Sequence, residues 1–117
     1  MPYMLLIVEP PGQRVERGLE AGKQVYAEML RFAEGLKARG VLRGVESLAT
    51  DAKGARVQVR DGRPRIKDGP FAEAKELIGG FFLLDVATLQ EATAIAAECP
   101  AARWATVEVR EVGPCWT

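Results

Sequence analysis

The densest group of reactive side chains lies in Asp68-Gly69-Pro70-Phe71-Ala72-Glu73-Ala74-Lys75-Glu76. Glu73, Lys75 and Glu76 stand between a turn-forming Asp-Gly-Pro and the Gly79-Gly80-Phe81 entry to an apolar run. A carboxylate held near a lysine and partly removed from water can serve as a general acid or base. Asp68 and Glu73 are therefore the candidate catalytic residues, with Phe71, Lys75 and Glu76 as ligand contacts beside them. Helical geometry would put Glu73 and Glu76 on one face, and strand geometry would pair Glu73 with Lys75. Glu108 and Arg110 alternate onto one face of a later strand, and an arginine fork suits a carboxylate or phosphate. Each feature also has a plain reading. Asp68 can close an Asx-turn while Pro70 fixes φ and Gly69 permits the bend. Phe71 can anchor a core or an interface. The charged trio can form a solvated, ion-paired face, and Glu108 and Arg110 can make an intersubunit or cross-strand ion pair.

Composition narrows the chemistry. The 117 residues contain no histidine, which removes Ser-His and Cys-His nucleophiles and imidazole metal ligation. Sixteen basic and sixteen acidic side chains balance to zero net charge, which gives no electrostatic reason to expect nucleic acid or anionic membrane as a partner. Arg56, Arg60, Arg63, Arg65 and Lys67 cluster locally, but without the interleaved aromatics of an RNA-reading strand. They read as protection of a sheet edge. Asp68, Glu73 and Glu76 lack the spacing of a calcium loop, so neither a metal nor a cofactor is expected. Gly79-Gly80 precedes a strand rather than a helix, which argues for a bulge or close backbone approach and against a phosphate loop. Cys99 and Cys115 fit no CxxC spacing and are expected as reduced thiols in a cytoplasmic protein. The first apolar run is too short for a membrane span.

These residues must be positioned by a single domain, 1–117, the length expected of one. Tyr3–Val8 is apolar at successive positions, as in a central strand, and Pro10-Pro11-Gly12 ends it. One long helix is expected over Arg14–Arg39, burying Val25, Met29, Phe32, Ala33 and Leu36, weakened at Gly22 and stopped by Gly40. An irregular strand follows over Val41–Leu48. Arg56–Arg60 and Arg63–Lys67 alternate around Asp61-Gly62, a hairpin with one wet face. Phe81–Val86 is a core strand. Thr88-Leu89-Gln90-Glu91 is a capping box opening a helix that buries Leu89, Ala92, Ile95, Ala96 and Cys99, and Pro100 ends it. Thr106–Arg110 is the last strand, with its valines inward. The order gives an α+β, ferredoxin-like βαββαβ plan with an added hairpin. Helices on one face leave apolar residues on the other, and a second copy packed sheet to sheet is the expected cover.

The stretch DGPFAEAKE followed by LIGGFFLLDV resembles the signature of the DGPFAETKE family, a branch of the YCII-related superfamily, with Ala74 at a position usually held by threonine. The opening YMLLIVE, the VQVRDG hairpin, DVATLQEA and the closing CPAARWATVEVREV extend the resemblance over nearly the whole chain. It implies a homodimer of the dimeric α+β-barrel type, often encoded beside extracytoplasmic-function sigma factors. Related branches carry a proposed His–Asp dyad, which a chain without histidine cannot form. Three functions follow as expectations. The first is a regulatory dimer binding a small anionic or organic ligand in a cleft near the motif. The second is a cofactor-independent enzyme with Glu73 or Asp68 as base. The third gives the motif a purely structural role at the dimer interface.

Overall fold

In the computed structural model, which describes residues 2–116, six strands and three helices follow one another along the chain. These are β1 (Tyr3–Glu9), α1 (Gln13–Arg17), α2 (Leu19–Ala38), β2 (Leu42–Ser47), β3 (Ala55–Arg60), β4 (Arg63–Asp68), β5 (Leu77–Leu84), α3 (Leu89–Glu98) and β6 (Thr106–Glu111). The main sheet runs β2-β5-β1-β6, antiparallel throughout, while β3 and β4 form a separate two-stranded ladder. Two helices returning over one antiparallel four-stranded sheet make the βαββαβ arrangement, mixed α+β and ferredoxin-like in plan.

The core lies between the sheet and its helices. Tyr3, Leu5 and Ile7 of β1 and Phe82 and Leu84 of β5 face Leu36 of α2 and Ala92, Ile95 and Ala96 of α3. Phe32 meets Phe82 edge to face, with ring centroids 5.3 Å apart. Period-2 alternation sends Met4, Leu6, Phe81 and Leu83 to the helix-free face, where they are half-buried. Register places Met4 opposite Leu83 and Leu6 opposite Phe81, so the four form one apolar strip.

Local chemistry explains most boundaries. Gly40 at φ 74° closes α2: its N–H bonds the Lys37 carbonyl and the Val41 N–H reaches that of Leu36, a Schellman stop. The Thr88 hydroxyl accepts the Glu91 N–H at 3.1 Å, which caps α3. Asp61 and Gly62 both hold positive φ, as a two-residue I′-type hairpin turn requires.

Four expectations are corrected. The single helix over Arg14–Arg39 is two helices, because Gly18 at φ 83° and ψ 167° breaks it, and α2 runs on through Gly22. The hairpin has no dry face. Val57, Val59 and Ile66 are exposed like the basic residues that alternate with them on the other face, since β3–β4 stands apart from the main sheet. Leu89 is also exposed, because it occupies the first turn of α3 before the buried stripe begins. The core strand β5 starts at Leu77, ahead of the expected Phe81. Neither cysteine is bridged: Cys99 is buried and Cys115 exposed. Burial raises the Cys99 thiol above its ordinary pKa. A thiol-specific reagent is therefore expected to titrate one cysteine quickly in the native protein and the second only on unfolding. Rapid reaction of both would contradict that packing.

Candidate functional site

The acidic motif folds as a loop between β4 and β5, neither helix nor strand, so no regular periodicity aligns Glu73, Lys75 and Glu76. Its Asp-Gly-Pro start is built for close approach. A Cβ on Gly69 would lie 1.7 Å from the Asp51 carbonyl oxygen. The Gly69–Pro70 bond is cis, and the Gly69 N–H bonds the Gly54 carbonyl at 2.9 Å. The expected Asx-turn at Asp68 is replaced by a longer-range contact. The carboxylate of Asp51, from the 3-10 turn Asp51–Lys53, accepts the Phe71 N–H at 2.8 Å. Phe71 is buried, and the Arg56 guanidinium sits 4.2 Å from its ring centroid. The loop is thereby stapled to the turn that precedes the hairpin.

The candidate residues separate in space. Asp68 is exposed at the end of β4, opposite Ala55, and Lys75 is exposed in the loop. Glu73 is exposed and paired with Lys67. That hydrogen bond from Lys67 holds the Glu73 carboxyl below its ordinary pKa, with its backbone bonding and the charges of Lys67 and Arg56 helping. A carboxylate held ionised in water is a weak proton donor. Glu108 and Arg110 lie on β6 and pair with each other at 3.2 Å. Register sets them opposite Leu6 and Met4, on the helix-free face. Phe71 and Glu76 line a cavity of about 590 Å³, whereas Asp68, Glu73, Lys75, Glu108 and Arg110 line neither this cavity nor the larger one beside it.

Linkage fixes the sign of the Glu73 effect. A folded-state pKa below the unfolded value stabilises the fold above the ordinary carboxylate range, and that contribution is lost as pH falls through the folded-state value. Because the pair is exposed, the effect on stability is small. The carboxyl titration, followed by NMR, is expected to move up towards the ordinary range in Lys67→Met. No movement would remove the pair as its cause.

The larger cavity, about 800 Å³, lies between the N-terminal half of α2 and the sheet. Ala33 and Leu36 bury the C-terminal half of the helix against the strands, whereas Gly22, Val25 and Tyr26 line the space, and Met29 lines it while packing against the core. The volume falls within the range typical of small-molecule sites, roughly 300–1,000 Å³.

The two cavities share Glu9 and Arg14, residues that the sequence did not single out. Glu9 ends β1 with its side chain only 7% exposed, and Arg14 Nε meets its Oε1 at 2.8 Å. The same guanidinium donates to the carbonyls of Leu48 at 2.8 Å and Gly79 at 3.4 Å, tying the ends of β1, β2 and β5 together. Gly79 makes room for this: a Cβ there would lie 2.8 Å from Glu9 Oε2 and 3.0 Å from Arg14 Nη2. Gly80 does the same for β2, since its Cβ would lie 2.7 Å from the Glu46 carbonyl oxygen. The Gly-Gly pair was thus the available signal, read as close approach without its partner. The register of β1 on β5 also shifts here, between Ile7 and Val8. Trp104 lines the far wall, with the Arg17 guanidinium 4.4 Å from its ring centroid. Among the described residues no group of three or more Cys, Asp and Glu is placed to hold a metal ion. No helix among them is long and apolar enough to cross a membrane.

A ferredoxin-like α+β sheet with one helical layer and a cavity beneath the first long helix defines the structural class. The model of the YCII-related domain matches residues 1–115, and the chain belongs to the YCII-related family. It is also similar to an uncharacterized protein of Rhizobium meliloti (strain 1021), 36% identical over 80 residues that cover 68% of this chain. That match spans 56% of the relative, so this chain corresponds to just over half of it.

Proposed function

We propose that the chain is a small-molecule-binding protein of the DGPFAETKE branch, with its ligand in the cavity between α2 and the sheet. The observation that carries this is a largely apolar space of about 800 Å³ with a buried carboxylate, paired to a half-exposed guanidinium, fixed in its wall. The motif contributes indirectly: its Phe71 and Glu76 line the adjoining cavity across Glu9 and Arg14. Binding is favoured over catalysis by Glu73 or Asp68, because both are exposed and outside either cavity. Gly22 supplies the test. It lines the cavity, and a side chain placed on it meets open space. Gly22→Phe is expected to fold with at least wild-type stability, since glycine costs a helix interior about 1 kcal/mol. It should abolish the fluorescence gain of the neutral probe N-phenyl-1-naphthylamine. An equal gain in wild type and variant would remove this cavity as the site.

The functional unit is a homodimer formed through the helix-free strip of Met4, Leu6, Phe81 and Leu83. What supports this is apolar surface at the centre of a sheet, flanked by Glu108 and Arg110. Sedimentation is expected to give twice the 12.7 kDa chain mass, and a monomer at working concentration would contradict it. The link to an extracytoplasmic-function sigma factor rests on the family resemblance. Recovery of a complex in a pull-down supports direct contact, and a clean negative at micromolar protein removes it.

A further inference from the structure

We infer that the ligand is an apolar monoanion whose carboxylate-type head lies at Arg17 and whose body runs along α2 towards Met29 and Phe82. This rests on the cavity being the ligand site and goes beyond that reading by assigning the head group and its direction.

The charges in the cavity wall are not equivalent. Arg14 is consumed by Glu9 and two carbonyls. Arg17 is half-buried, lines the same space and has no carboxylate partner among the described residues. Its contact is the face of Trp104, which attracts the cation without neutralising it. Its Nη2 is shut off from water, and a guanidinium N–H left there without an acceptor is unfavourable. Around it, Arg17 Nη2, the Trp104 indole Nε1 and the Gln13 amide oxygen are all buried without a hydrogen-bond partner. Gln13 belongs to the same cluster, because its amide nitrogen donates to the Trp104 carbonyl. Unpaired buried polar atoms are uncommon, and three in one cluster mark a site completed by something else. Two of the three are donors, one of them cationic, which selects an acceptor bearing negative charge. Lys23 and Glu46 also line the space, both exposed and opposite in sign, and the wall it shares with the core is apolar, formed by Met29, Ala33 and Phe82. A cationic donor cluster at one end and hydrocarbon at the other select a molecule with the same polarity.

Competition against N-phenyl-1-naphthylamine tests this with three competitors of matched length: octanoate, 1-octanol and octylamine. Octanoate is expected to displace the probe at about tenfold lower concentration than octanol, the size of a charge-assisted hydrogen bond. Octylamine should be the weakest. In Arg17→Met the preference for octanoate should vanish while octanol displaces as before, and Arg17→Lys should keep part of it. Equal displacement by octanoate and octanol, a preference for the amine, or an octanoate preference surviving in Arg17→Met would each overturn the head-group assignment and leave the cavity standing. Absence of probe fluorescence in the wild type would remove the cavity reading, and this inference with it.

Discussion

Gly69→Ala is expected to lower the melting temperature by roughly 10 °C, corresponding to about 3 kcal/mol in a domain of this size. The added methyl would stand 1.7 Å from the Asp51 carbonyl oxygen, and that atom is backbone. No rotamer change can relieve the overlap, so the loop must lift off the 3-10 turn. Lifting it breaks the Gly69 N–H bond to Gly54, pulls the Phe71 N–H from the Asp51 carboxylate and exposes the buried ring. Gly54→Ala is the control, because its Cβ would sit at an ordinary 3.4 Å from the same oxygen. Differential scanning calorimetry of both variants checks the difference. A Gly69→Ala protein melting with the wild type would show that the loop does not need this approach.

Arg14→Met is expected to cost about 3 kcal/mol, because it leaves the Glu9 carboxylate buried without its partner. Arg14 itself is 38% exposed at its side chain, so water recovers part of the loss and the value sits at the lower end for a broken buried pair. The bonds to Leu48 and Gly79 go with it, which loosens the ends of β2 and β5. Arg14→Lys should rescue little, since an ammonium cannot span all three acceptors in the fork geometry of a guanidinium. Adding Glu9→Gln to Arg14→Met should recover at least ~1 kcal/mol, because the orphaned charge is then gone. Urea denaturation of wild type, Arg14→Met, Glu9→Gln and the double variant closes the cycle. Additive single effects would show that the pair is not coupled.

Local signals were legible in the sequence where local chemistry decides the structure. Thr88 with Glu91, Gly40 after Arg39, and Asp61-Gly62 each act through backbone conformation within a few residues, and each forms as its residue types require. Apolar runs in β1 and β5 likewise located the two central strands. The helix break was harder. Gly18 and Gly22 stand in the same amphipathic pattern, and the positive φ that separates them depends on how α1 turns to carry Arg14 to Glu9.

The site depended on contacts between distant segments. Glu9 looked like the polar end of a strand, because its burial requires Arg14 and the missing side chain of Gly79. Asp51 sat in a turn cluster with nothing nearby to tie it to Phe71. Periodicity placed Val25 on the inward face of α2 with Met29, of which only Met29 packs against the core, but a period reports direction and not distance. It could not show that this half of the helix stands off the sheet. The motif drew attention by its charge, whereas in the fold its glycine and phenylalanine make the contacts.

Whether ligands enter beneath α2 or at the acidic motif is decided by amide and indole NMR shifts during an octanoate titration. Saturable shifts are expected over residues 17–30 and 79–82 and at the Trp104 indole, with residues 72–76 and the hairpin tip unmoved. Shifts confined to the 68–76 loop, with the first half of α2 silent, would contradict it.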